Sequence, residues 1–309
     1  MKVAFLADRR SEVQVIGGVL HELQKRGHEL IALRGYMSPK APDDVAVYSH
    51  LTREWNAALS DRILPLDALC LISAGSSIPS LIPVIMVDYC WDLLFQPPKP
   101  NLHMAYATDL QRQMCHGEGP VVGSPMLAWL TPAAPTDFVF FIPKLRRSRG
   151  IVWALAWAAR RFAHRHALRL VGMTRQKHGR SGVPFMDAWA PIVNTPMWPP
   201  PVQRALQTAA AALHCQSGVH FECVAGQVPT YCVTWPQTPN LPPSVAAIMR
   251  WKRRELVLGS SWIRTIRTLN QDKPTQTPPL GNYEENYLGP RDCHARIADY
   301  CEEVAQCAS

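Results

Sequence analysis

The chain has 309 residues, 47% of them hydrophobic, enough to fill two cores at about 150 residues per domain. No apolar run reaches the roughly 18–20 residues of a membrane-spanning helix, and the apolar start of MKVAFLADRR is too short for a secretory leader. Nine cysteines with no CxxC pair and a net charge of +8 point to a cytoplasmic protein with reduced thiols, no zinc module and an anionic partner.

The N-terminal run Lys2–Ala7 predicts a strand ended by the polar turn from Asp8. Val13, Ile16, Leu20 and Leu23 then repeat at helical spacing up to Gly27, and Leu30–Leu33 reads as a second strand. That βαβ start predicts a parallel sheet covered on both faces. Asp43–Leu59 reads as a helix, and Ala68–Ser73 and Pro83–Val87 as further strands. The proline-rich, uncharged Leu130–Thr136 is the best linker, dividing the chain into domains 1–130 and 131–309.

A second βα series starts at Asp137, with strand Phe138–Ile142, helix Ile151–Ala167 and strand Leu168–Met173. Trp153, Trp157 and Phe162 are expected to pack that helix into the core. Pro199–Pro201 opens a helix expected to reach Leu213. Ser260–Leu288 reads as a long turn-rich loop, and Arg291–Val304 as a final helix.

Charge follows the same division. Residues 1–130 carry 11 Lys/Arg against 13 Asp/Glu, whereas residues 131–309 carry 21 against 11. Eleven of those cations lie between Lys144 and Arg180 with no acid among them, and Glu255 is the only acid between Arg250 and Arg267. Phosphates are the natural partners of such clusters.

The most informative motif is Ser217-Gly218-Val219-His220-Phe221-Glu222, followed by Gly226-Gln227-Val228-Pro229, which turns the chain into an expected strand TYCV. Ser-Gly before a helix start offers backbone N–H groups to an anion. Glu222, one turn on, is placed to accept hydrogen bonds from a ribose diol. Cys215, Cys223 and Cys232 read as small buried residues.

With Leu23–Glu29 (LQKRGHE), Val121–Pro125 (VVGSP), Phe138–Lys144, Ser217–Pro229 and the C-terminal NYLGPRDCHARIADYCEE, the chain resembles the GT-B nucleotide-sugar glycosyltransferases and the related UDP-N-acetylglucosamine 2-epimerases. The resemblance implies an α/β fold of two Rossmann-like domains facing a central cleft, with the first on the acceptor side and the second binding a UDP-sugar. Glu222 would then hold the ribose, Ser217 and Gly218 the diphosphate, and His220 would stand beside them. Lys144, Arg175 and Lys177 follow strands whose carboxyl ends face the crevice; they would neutralise the leaving diphosphate with no metal and no tightly bound cofactor. No Asp-x-Asp occurs, as expected of a metal-independent transferase.

An inverting transferase also needs a base for the acceptor hydroxyl. Asp8 and Asp88, each directly after a first-domain strand, are the candidates, with Asp92 nearby; His21 and His28 lie on or beyond the first helix. The basic clusters exceed the needs of one diphosphate, and the favoured acceptor is a 5-hydroxymethylated pyrimidine in DNA, as in phage DNA glucosyltransferases. An envelope or small-molecule transferase and a sugar epimerase are the alternatives.

Overall fold

A computed structural model describes residues 1–6, 10–34, 58–61, 68–73, 82–87, 101–125, 133–143, 149–175, 183–192, 199–215, 219–233, 261–271 and 288–308. The chain divides into two compact units. The first takes Met1–Trp129, Asn194–Pro200 and Leu280–Ser309; the second takes Leu130–Val193 and Pro201–Pro279.

In the first unit, strands β1 (Lys2–Leu6), β2 (Glu29–Arg34), β3 (Ala58–Asp61), β4 (Ala68–Ser73), β5 (Val84–Val87) and β6 (Leu102–Ala105) form one sheet. All pairings are parallel, in the order β3-β2-β1-β4-β5-β6. A parallel sheet is covered on both faces, so its strands read as unbroken apolar runs rather than alternating ones; VIMV of β5 is buried at every position. Helix α1 (Arg10–Lys25) lays Val15, Ile16, Val19, Leu20 and Leu23 on one face, beside Val3, Phe5, Leu69 and Leu71. Each such side chain contributes about 1.5–3 kcal/mol when fully buried. The short helix α2 (Asp109–Met114) is capped by Thr108, whose side chain accepts from the Gln111 N–H.

The second unit repeats the plan with five strands: β7 (Asp137–Phe141), β8 (Arg169–Arg175), β9 (Ala188–Ile192), β10 (Ala209–Cys215) and β11 (Thr230–Val233). Their order is β11-β10-β7-β8-β9, again all parallel. Helix α3 (Arg149–Arg165) covers one face through Val152, Leu155, Ala156, Ala159 and Ala163. Helices α4 (Pro201–Gln207) and α5 (Val219–Ala225) cover the other, where Val202, Leu206, Val219 and Cys223 meet Val139, Phe141 and Ala212. Asp137, buried at the start of β7, is held by Arg169 Nε and Nη2 at 2.9 and 3.0 Å and by the Thr208 hydroxyl at 2.9 Å. This anchor sets the entry of β7 beside β8.

Several expectations change. The helix expected to run on to Leu213 stops at Gln207, and Ala209–Cys215 is strand β10. Alanine favours helix by only a few tenths of a kcal/mol per residue; pairing with strands on both sides and burial of 211–214 outweigh it. The loop expected over Ser260–Leu288 contains helix α6 (Trp262–Asn270), capped by Ser261 Oγ accepting from the Arg264 N–H and packed on α3. The helix expected over Asp43–Leu59 overlaps strand β3 at Ala58 and Leu59, and its remainder lies outside the described residues. Trp153 and Trp157 do not enter the core: they are 43% and 51% exposed. They sit on the helical stripe opposite Val152, Leu155, Ala159 and Ala163. Phe162 does pack inward, against Phe138 and Tyr231.

The last helix, α7 (Cys293–Ala308), lies on α1 of the first unit, where Ile297, Ala298, Cys301 and Val304 join the core. The sequence division at 130/131 therefore gives the second unit a C-terminal segment that packs on the first. Arg26 and His28 of the LQKRGHE segment explain the attachment. Arg26 bonds Glu22 at 3.1 Å, Asp299 at 2.6 Å and the Ala295 carbonyl at 3.3 Å, while His28 meets Glu302 at 2.7 Å. Those partners hold the Arg26 guanidinium above its usual range and the Glu302 carboxyl below its own.

Candidate functional site

In each sheet the strand order reverses at one place, between β1 and β4 and between β7 and β10. Open parallel sheets bind ligands outside the carboxyl ends of the strands at such a switch point. In the second unit Phe141 of β7 pairs with His214 of β10. In sequence, Lys144 follows β7 and Ser217-Gly218 follow β10.

The segment after β10 folds as its residue types dictate. All seven residues of α5 are buried. The helix closes through Gly226 N–H to Glu222 O at 2.9 Å and Val228 N–H to Cys223 O at 2.8 Å. The Pro229 carbonyl then accepts from the Ala212 N–H at 2.8 Å, which starts β11 alongside β10. The helix, turn and strand expected after Ser217-Gly218 are found as α5, Gly226–Pro229 and β11.

Glu222 is 8% exposed, and its Oε2 has no hydrogen-bond partner. Burial raises its carboxyl from 4.5 to about 8, so the group is neutral at pH 7. An unsatisfied buried acceptor costs about 1–3 kcal/mol, and a ligand hydroxyl would relieve that cost. His220, expected beside the donor, turns toward His214: Nδ1 of His220 and Nε2 of His214 lie 3.3 Å apart. Burial lowers His214 from 6.5 to about 3 and His220 to about 4, leaving both imidazoles neutral. His214 was not singled out from the sequence. Its signal was the alternation along β10, which places it on the same face as Ala212.

Arg175 ends β8. Lys144, Lys177, Ser217 and Gly218, and in the first unit Asp8, Asp88 and Asp92, lie outside the described residues. Of the histidines weighed against the aspartates, His28 is a partner of Glu302. His21 shares an open groove with Gly18, Glu22, Gln24, Lys25 and His294. Within the acid-free stretch, Arg160 pairs with Asp187, Arg165 donates to the Leu269 carbonyl, and Arg169 holds Asp137.

The titrations have opposite consequences for stability. The folded-state value of Glu222 is raised, so its contribution is complete below pH 4.5 and is lost as pH rises through about 8. The values of His214 and His220 are depressed, so theirs is complete above 6.5 and is lost as pH falls toward 4 and 3. Denaturant melts between pH 4 and 9 are expected to show a maximum for the second unit near pH 6.5. Glu222→Gln should flatten the alkaline limb and spare the acid limb; an unchanged alkaline limb would place the titration elsewhere.

No family model matches the chain, and no curated protein matches it. Solved structures do. A putative UDP-N-acetylglucosamine 2-epimerase from Listeria monocytogenes superposes with a TM-score of 0.59 at 11% identity, covering 99% of this chain and 96% of its own. The UDP-GlcNAc 2-epimerase of Neisseria meningitidis, bound to UDP-GlcNAc, gives 0.53 at 11%, covering 100% and 99%. The calicheamicin glycosyltransferase CalG4 gives 0.53 at 15%, covering 99% and 98%. With two all-parallel sheets and matches along essentially its whole length, the chain has the GT-B fold of two Rossmann-like units.

Proposed function

We propose that the protein is a GT-B enzyme acting on a nucleoside diphosphate sugar, first of all a UDP-sugar, with the nucleotide held by the second unit. The observation that carries this reading is Glu222, a buried carboxyl with an unpartnered oxygen in the helix that follows the switch-point strand. A ribose diol supplies two hydroxyl donors, and a carboxylate accepts both. Ser217 and Gly218 face the diphosphate in this reading, and Lys144, Arg175 and Lys177 balance the charge of the leaving group without a metal. UDP or UDP-GlcNAc bound in fold neighbours supports the choice of nucleotide.

The finer proposal is a transferase whose acceptor is a 5-hydroxymethylated pyrimidine in DNA. Its support is the basic face of the second unit: Arg149 and Arg161 of α3 and Arg264 and Arg267 of α6 are exposed, and neither helix carries an acid. Phosphate contacts of this kind give affinity that falls steeply with salt. Asp8 or Asp88 would take the proton of the acceptor hydroxyl. A sugar 2-epimerase is the second reading, favoured by the epimerases among the fold neighbours.

The deciding experiment incubates the protein with UDP-glucose or UDP-GlcNAc, with and without duplex DNA containing 5-hydroxymethylcytosine. The digested nucleosides are read by mass spectrometry and the sugar nucleotide by NMR. A hexose or N-acetylhexosamine mass gain on the nucleoside establishes the transferase and its acceptor. Asp8→Ala or Asp88→Ala, but not both, should then abolish turnover while sparing UDP binding. Inversion at C2 without acceptor establishes the epimerase instead. Absence of UDP binding overturns both.

A further inference from the structure

His214, His220 and Cys232 lie on three successive elements, β10, α5 and β11, and meet in the core of the second unit. His214 and Cys232 are register partners on the adjacent parallel strands β10 and β11. Their neighbours Leu213, Tyr231 and Val233 face α3, while Ala212 faces α4 and α5. Strand alternation therefore turns His214 and Cys232 together toward α5, where His220 stands in the first turn. All three are buried, and their ligand atoms lie within 4.8 Å of one another.

We propose that these three side chains form a metal site of the zinc type, with two imidazole nitrogens and one thiolate as protein donors and one tetrahedral position left for water or a small exogenous ligand. The spacing fits. Metal–nitrogen bonds of about 2.0–2.1 Å place two nitrogens about 3.3 Å apart around a tetrahedral centre. His214 Nε2 and His220 Nδ1 are 3.3 Å apart, with their rings inclined at 63°. The donor set is also right, since imidazole and thiolate together select zinc-like ions over magnesium or calcium. Burial keeps both imidazoles neutral, which is the ligating form.

Coordination replaces the Cys232 thiol proton, which leaves to solvent, and involves no change of oxidation state. Its consequence is mechanical. The metal ties α5 to the carboxyl ends of β10 and β11 and so holds the helix that carries Glu222. The site is separate from the chemistry of sugar transfer and does not rest on the proposed function; a metal-free leaving-group mechanism is compatible with it.

The test uses the full chain, stripped with chelator under reducing conditions and titrated with Co(II). The expected result is binding of about one cobalt per chain, with a thiolate-to-cobalt charge-transfer band and the visible bands of a tetrahedral centre. Zn(II) should displace the cobalt and raise the melting temperature by several degrees. The spectrum should survive Cys307→Ser, which removes an exposed thiol, and be lost in Cys232→Ala and His214→Asn. If those variants fail to fold, X-ray absorption on the wild-type cobalt form decides, with two imidazoles and one sulfur as the required shell. A wild-type chain with neither bands nor a Zn(II) melting shift, a spectrum that survives Cys232→Ala, or a different shell overturns the proposal.

Discussion

Gly289→Ala should unfold the first unit at denaturant concentrations the wild type withstands, with a loss on the order of 4 kcal/mol. Gly289 has φ +69°, and a Cβ there would run into the Ala107 carbonyl oxygen and stand 2.9 Å from Gly123 Cα. Gly123, at φ +88°, is the reciprocal case, because its Cβ would strike the Pro290 carbonyl oxygen. The two backbones pass each other where Ser124 N–H donates to Leu288 O at 3.1 Å and His294 meets the Pro125 carbonyl at 2.8 Å. These contacts bring α7 onto α1. Gly27 supplies the control. At φ +82° it has nothing within 4 Å of a Cβ, so Gly27→Ala carries only the left-handed backbone cost of about 1–2 kcal/mol. Urea melts of the two variants separate packing from backbone strain. Equal losses would show that the close approach at Gly289 contributes nothing.

The second large effect is on ligand binding. Glu222→Ala is expected to weaken UDP binding by about 10–100-fold, the net loss of one hydrogen bond to a charged group at about 1.5–3 kcal/mol. Glu222→Gln keeps one acceptor and should fall between. Because burial holds the free carboxyl at about 8, the ribose must bind the ionised form by displacing a proton. Wild-type affinity should therefore fall as pH drops below about 8, and the Gln variant should show no such fall. Calorimetry in buffers of different ionisation enthalpy reads the released proton directly. Unchanged affinity in Glu222→Ala would remove this residue from the nucleotide site, while leaving the His214–His220–Cys232 cluster unaffected.

Most of the fold was legible because fully buried parallel strands announce themselves as short unbroken apolar runs. KVAFL, ALCLIS, VIMV, FVFF and TYCV each became a strand at or within a residue of the expected place. The weaker strands β3 (ALSD), β6 (LHMA) and β9 (AWAPI) were not legible. They are outer strands of their sheets, and the polar residues in β3 and β6 blur the signal. The α6 helix was hidden by its surroundings: a run of basic and turn-forming residues masks WIRTIRTLN, whose buried Thr265 and Leu269 need α3 to define an inner face.

Local patterning by itself determined two βα series, the helix–turn–strand arrangement over 217–233 and the separation of charge between the halves, since each depends on sequence alone. Tertiary structure alone decided the rest. The placement of α7 on the first unit rests on partners of Arg26 more than 260 residues away. The strand state of Ala209–Leu213 depends on neighbours across the sheet. The burial that raises Glu222, and the meeting of His214, His220 and Cys232, depend on how α5 seats against β10 and β11. Parallel pairing joins residues that have no fixed spacing in the chain, and desolvation is a property of the assembled core, so neither is written in periodicity.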